Sequence, residues 1–269
     1  MVECRATGTG RAERRGYMTK KVVLFDFHNT LATCDGWLEL EIKTLPGLVL
    51  QRLAEKGLVA DHDSAATEKA TRLFKELRQR VRESGREISA AEGAITVLRE
   101  MGHDVPEAEI EEAVAELEHE CLPEVKMIEG ADHALAQLRD AGYRLGVVSS
   151  AGFPPFVEMA LEELGLRPFF SEVITSAGER IYKSDPEIYR RALGYLGATP
   201  KEAVHVGDHP AFDVETAKAA GLSTVWFVAQ SRRTAELRGE PWYDPSAAQS
   251  GADAIVKSMS ELFVAISGL

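Results

Sequence analysis

Asp26 and Asp208 each close an apolar, strand-like run, and both have polar company at short spacing. Asp26 lies near the end of "KVVLFDF", two residues before His28; Asp208 ends "EAVHVGD", five residues before Asp213. Between them come Ser149 and Ser150, ending "YRLGVVSS", and Lys183, opening "KSDPEIY". A carboxylate, hydroxyls, an amine and further carboxylates suit phosphoryl transfer. A carboxylate can attack phosphorus and form an aspartyl phosphate, which divides one difficult displacement into two. It also repels a phosphate dianion, so the site needs cations. Asp26 and Asp208, with a backbone carbonyl, offer the hard oxygen ligands that Mg²⁺ prefers. Lys183 adds positive charge, and Ser149 adds a hydroxyl for a phosphate oxygen.

These residues act together only if the fold gathers the ends of their strands. Residues 21–27 form a continuous β-branched and aromatic run, as expected of a strand buried on both faces of a parallel sheet. After Pro123 the pattern predicts helix 130–141, strand 143–150, helix 155–164, strand 171–176, helix 185–196, strand 202–208, helix 210–220 and strand 223–229. A short strand near 254–256 and a helix over 258–267 follow. This alternation predicts an α/β fold, a Rossmann-like doubly wound parallel sheet, in which ligands bind beyond the carboxyl ends of the strands.

Residues 38–122 carry helical periodicity instead, with Leu73, Leu77 and Val81 on one face and Ile110, Val114 and Leu117 on another. A capping box at Ser89–Glu92 and Pro106 mark helix starts, and Glu107, Glu109, Glu111 and Glu112 suit a first turn and a solvated face. The block is far longer than an ordinary strand-to-helix connection and predicts an inserted all-helical domain above the strand ends. The expected division is a core of residues 21–36 and 127–269, a helical cap at 37–126 and a flexible tail at 1–20. Residues 239–253 read as a surface loop.

Composition narrows the partners. A net charge of −12 argues against a generic nucleic-acid or anionic-membrane surface, while leaving room for a local basic cleft that takes a small phosphorylated metabolite. No apolar run approaches the roughly 20 residues of a membrane span. Cys4, Cys34 and Cys121 are widely spaced and lack a CxxC pair, which predicts neither a disulfide framework nor a zinc cluster. With no apolar leader core in residues 1–17, a cytoplasmic protein is expected.

Four segments in order resemble the motifs of the haloacid dehalogenase superfamily: "DFHNT", "LGVVSS", "YKSDPEIY" and "VHVGDHPAFD". The helical block resembles that superfamily's C1 cap, and the resemblance spans residues 21–260. It implies Asp26 as nucleophile, Ser149 and Lys183 as phosphate contacts, Asp208 as a metal ligand and Asp213 as support for the metal or its waters. His28 would lend its backbone carbonyl to the metal. Superfamily phosphatases carry an aspartate at that position, where it protonates the leaving oxygen and later deprotonates water.

Three readings of His28 follow. Imidazole can carry the same proton; the reaction can involve a leaving group that needs no acid, as in metal-independent 2-haloacid dehalogenation; or the site can bind phosphate and metal with little turnover. Dehalogenases of the superfamily lack the acidic fourth motif, whereas Asp208 and Asp213 are present here. Asn29, which follows, is the non-glycine residue most tolerant of positive φ. The expectation is therefore Mg²⁺-dependent hydrolysis of a small phosphate monoester. Asp213 reads equally as a first-turn acid, His205 as a packed core residue and Cys34 as a small apolar one; His209, beside Asp208, could reach the site but reads better as a loop residue. Arg72, Arg78 and Arg82 of the cap could contact an anionic substrate, but helix-surface arginines are usually solvated, and none is nominated.

Overall fold

The computed structural model describes residues 21–60, 63–241 and 251–269. The expected tail at 1–20 and residues 242–250 of the expected loop lie outside the described residues.

Strand β1 (Val22–Phe25) is followed by the short β2 (Ala32–Thr33) and by helices α1 (Asp35–Glu39), α2 (Leu45–Glu55), α3 (Ser64–Ser84), α4 (Ala90–Glu100) and α5 (Glu107–Glu120). The short β3 (Lys126–Met127) pairs antiparallel with β2, so a two-stranded ribbon joins the places where the helical block leaves and rejoins the sheet. The sequence does not announce this ribbon, because two residues per strand show no periodicity. Next come α6 (Ala131–Asp140), β4 (Arg144–Ser149), α7 (Pro154–Glu163), β5 (Phe170–Thr175), α8 (Ser176–Glu179), α9 (Glu187–Tyr195) and β6 (Ala203–Gly207). A π-helical turn, Pro210–Glu215, leads into α10 (Thr216–Ala219), then β7 (Ser223–Phe227), α11 (Ser231–Arg238), β8 (Ala254–Val256) and α12 (Leu262–Ser267).

The main sheet has six parallel strands in the order β5-β4-β1-β6-β7-β8. All of β1 is buried, and its alternation explains the continuous apolar run. Val23 and Phe25 join one core with Leu135, Phe156, Leu161 and Ile266 from α6, α7 and α12. Val22 and Leu24 join another with Ile188, Tyr189, Leu193 and Ala217 from α9 and α10. Helices α2 to α5 close a third core around Leu50, Leu53, Phe74, Leu98 and Ile110. The capping box at Ser89–Glu92 forms as expected. The structure is thus an α/β core with an inserted helical cap.

Buried polar contacts fasten the helical block to the sheet beside the strand ends. Trp37 stacks on Phe156 with ring centroids 4.7 Å apart and donates from Nε1 to Glu118 Oε2 at 2.9 Å. Glu41 accepts from the backbone N–H groups of Gly152, at 2.9 and 3.0 Å, and Phe153, at 3.2 Å. Burial, and then the charge of nearby Glu41, push the Glu118 carboxyl up to about 10. Backbone donors favour the charged form of Glu41, whereas Glu118 has only the Trp37 N–H among the described residues, so Glu118 is the acid that holds a proton.

The sign of the pH effect follows. A carboxyl protonated when folded but ionised when unfolded contributes stability that is complete below its ordinary value of 4.5 and is lost as pH rises towards about 10. Glu118→Gln retains the shape and removes this loss. It is expected to melt at a higher temperature than the parent at pH 8, with the difference closing towards pH 4.5. A lower melting temperature at pH 8 would contradict a protonated Glu118.

Candidate active site

Strand order reverses on the two sides of β1, and such a reversal opens a crevice at the carboxyl edge. Phe25 is in register with Val147 of β4 and Val206 of β6, so Asp26, Ser149 and Asp208 emerge along one edge. Lys183 arrives from the connection between α8 and α9, and Asp213 from the π-helical turn. A single cavity is lined by Asp26, His28, Ser149, Ser150, Lys183, Asp208 and Asp213. Every residue that the sequence nominates for the site is therefore brought to it.

Charge is tightly packed there. Lys183, 1% exposed, places Nζ 2.6 Å from Asp26 Oδ1 and 2.6 Å from Asp213 Oδ1. Burial disfavours the Lys183 ammonium, but the two carboxylates outweigh burial and raise its pKa. Asp26 also accepts from Thr30 Oγ1 at 3.3 Å, and its carboxyl is pushed up to about 6, first by burial, against the opposing pull of Lys183. Asp208 shows no ion pair among the described residues. Burial and the charges of Asp26 and Asp213 drive its pKa well up. Carboxylate oxygens of Asp26, Asp208 and Asp213 all lie within 4.8 Å of one another.

Asp213 differs from its neighbours because its lone pairs are already engaged. Oδ1 accepts from His205 Nε2 at 2.9 Å as well as from Lys183, and Oδ2 accepts from the His209 backbone N–H at 2.8 Å. These donors overcome burial and hold the carboxyl well below the usual range. His205 is buried, as a core histidine should be, and burial lowers its pKa to about 4. Yet it also aims Asp213, a role that a histidine inside a strand does not advertise. Gly207 completes the seat: a Cβ there would stand 2.2 Å from the Asp213 carboxyl carbon.

The turn after β1 keeps its shape without glycine. Asn29 has φ 61°, in the left-handed region that asparagine tolerates. Its Nδ2 donates to Thr234 Oγ1 at 2.7 Å, and Thr234 in turn donates to Asp208 Oδ2. His28 turns its ring towards Trp37, with centroids 5.8 Å apart, and places Nε2 3.1 Å from the Cys34 carbonyl oxygen. That oxygen only accepts, so Nε2 carries the hydrogen and Nδ1 is the basic atom of the neutral ring. Burial, reinforced by Arg238, lowers the His28 pKa to about 3.

Thr234 and Arg238 line the cavity and are absent from the sequence-based site. Both lie on α11, a helix that the sequence reading misses. Its clearest sequence signal is Gly239, which takes φ 66° just past the last turn. His209, expected in a loop, also lines the cavity, with Nε2 2.7 Å from Glu240 Oε2. Cys34 is buried, as expected of a small apolar residue, and its backbone carbonyl anchors His28.

A parallel α/β core with an inserted helical cap and an acid-rich crevice at the strand ends defines the class. The model of haloacid dehalogenase-like hydrolases matches residues 20–221, and the chain belongs to that family of enzymes. It is similar to the glyceraldehyde 3-phosphate phosphatase of Methanopyrus kandleri, with 31% identity over 206 residues, covering 76% of this chain and 82% of that protein. Among solved structures, a HAD phosphatase from Thermococcus onnurineus aligns with TM-score 0.58 at 25% identity, covering 92% of this chain and 98% of that one. A 2-haloacid dehalogenase from Pseudomonas syringae aligns with TM-score 0.64 at 20% identity, covering 93% and 99%, a likeness of fold.

The seat under Asp213 is open to a direct test. Gly207→Ala is expected to cost about 1–3 kcal/mol in urea unfolding, because the added methyl meets a fixed carboxylate. In an Asp213→Ala background the same change should cost clearly less. An undiminished cost would show that the close approach is not what demands glycine.

Proposed function

We propose that the chain hydrolyses a small phosphate monoester with Mg²⁺ through an aspartyl phosphate on Asp26, with His28 as the proton carrier. The observation that carries this reading is a buried carboxylate at the strand-end crevice, fixed by Lys183 at 2.6 Å beside Asp208 and Asp213. The names of the Methanopyrus and Thermococcus relatives, both phosphatases, support the same class of substrate. The two acids of the fourth motif favour it over dehalogenation.

The donor set fits Mg²⁺. Three buried carboxylates share one ammonium, and Asp208 has no cation partner among the described residues. Asp26, Asp208 and the His28 backbone carbonyl would hold the ion. Asp213, engaged by Lys183, His205 and His209, would act from behind by fixing Lys183 and by orienting metal-bound water. When bound, Mg²⁺ supplies charge neutralisation at the phosphate.

The chain's own groups divide the remaining work. Asp26 attacks phosphorus; Lys183 screens the meeting of two anions. Ser149 and Ser150 donate to phosphate oxygens, and the Ser150 hydroxyl is buried with no hydrogen-bond partner, as expected of a donor kept for a ligand. The leaving alkoxide takes its proton from solvent, and Nδ1 of neutral His28 then accepts the proton of the water that hydrolyses the phosphoenzyme and returns it to solvent. The anchoring of His28 to Cys34 also favours a second reading, a phosphate-binding and metal-binding module with little turnover and a regulatory or interaction role.

Phosphate release from a panel of small esters with Mg²⁺ decides between them. The parent should be active, Asp26→Asn silent, and His28→Ala lower by about 10²–10⁴-fold; chelation should abolish the activity reversibly. A silent parent that gains activity as His28→Asp would instead establish the binding module.

A further inference from the structure

A second cavity of about 390 Å³ adjoins the site, between α3, the π-helical turn Leu40–Thr44 and α11. Arg238 lines both cavities and so joins them. The second is markedly basic: Lys43, Lys75, Arg78, Arg82 and Arg238 face it, against the single acid Glu236. This is unusual in a chain of net charge −12.

Internal pairing accounts for only part of that charge. Arg78 is neutralised by Glu87 at 2.7 Å, Arg82 by Glu240 at 3.0 Å, and Glu236 by Arg232 at 3.0 Å. Lys43, Lys75 and Arg238 have no ion-pair partner among the described residues. Arg238 Nε is, in addition, a buried donor with no acceptor, and its guanidinium carbon lies 5.7 Å from the Phe212 ring centroid. A buried guanidinium donor left unmatched is costly unless an incoming acceptor completes it. The Arg238 charge also reaches the crevice, where it favours ionised Asp26 and Asp208 and disfavours protonated His28.

We propose that this cavity seats a second anionic group of the substrate, so that the preferred ester carries a phosphate at one end and a carboxylate or second phosphate at the other. The inference rests on the phosphatase reading of the adjoining site. The transferred phosphate sits at Asp26 and Lys183, Arg238 spans the junction, and Lys43 and Lys75 meet the distal anion. The volume suits a small metabolite. The position between cap and core means that a substrate lacking the distal anion forfeits contacts from both.

The test compares three series of matched chain length: n-alkyl phosphates, ω-carboxyalkyl phosphates and α,ω-alkanediol bisphosphates. The parent should prefer one or both anion-tailed series over alkyl phosphates by at least about tenfold in kcat/KM, the size expected of a charge-assisted contact. Which series wins identifies the distal group. That preference should fall by about tenfold in Arg238→Met and measurably in Lys43→Met and Lys75→Met, all checked for parent-like circular dichroism. Equal use of tailed and untailed esters, or a preference untouched by the three substitutions, would overturn the proposal while leaving the phosphatase reading intact. Should no ester release phosphate, that reading fails, and calorimetric binding of an α,ω-alkane bisphosphonate against the matched alkylphosphonate decides the cavity. Tenfold tighter binding that is lost in the variants supports it; equal binding refutes it.

Discussion

Lys183 clamped between Asp26 and Asp213 is the contact on which the site depends. Its ammonium is the cation shared by carboxylates that burial and mutual repulsion would otherwise push towards protonation. A buried ion pair of this kind is weak evidence for stability, since desolvation offsets much of the attraction. Its value here is positional: it fixes the Asp26 carboxylate at the end of β1. The clamp is also incomplete. One ammonium cannot balance three buried carboxylates, and Asp208 bears the remainder in a strongly raised pKa. That imbalance is the physical basis for expecting a divalent cation.

Supporting contacts convert this charge cluster into a fixed geometry. Gly207 lets the Asp213 carboxylate approach the strand, His205 holds it from inside the sheet, and the His209 N–H closes the third side. On the other flank, Asn29 reaches Thr234, and Thr234 reaches Asp208. One residue from the turn after β1 and one from α11 therefore set the orientation of an acid that follows β6. The cap is tied to the same edge by buried hydrogen bonds of Trp37 with Glu118 and of Glu41 with the Gly152 backbone.

Much of the fold was legible because it rests on local periodicity. Strand β1 reads as a continuous apolar run, since opposite faces of it meet two different helical layers. The cap helices read from 3.6-residue spacing and the Ser89–Glu92 box. The segment after β7 was not legible: α11 is short and highly polar, and its importance comes from what it touches. His205 was legible as buried but not as a partner of Asp213, because strand pattern gives burial without naming the neighbour. Arg78 and Arg82 read as solvated cap residues, whereas each is half-buried and paired, with Glu87 and Glu240.

By itself the sequence determined the α/β alternation, the helical insertion and the identity and order of Asp26, His28, Ser149, Lys183, Asp208 and Asp213. Each of these is carried by local pattern or by spacing along the chain. Only the tertiary structure decided the hydrogen position on His28, the engagement of Asp213, and the delivery of Thr234 and Arg238 from a helix more than 200 residues beyond Asp26. Hydrogen-bond partners and charge balance are properties of groups brought together in space, and sequence order carries no direct record of those distances.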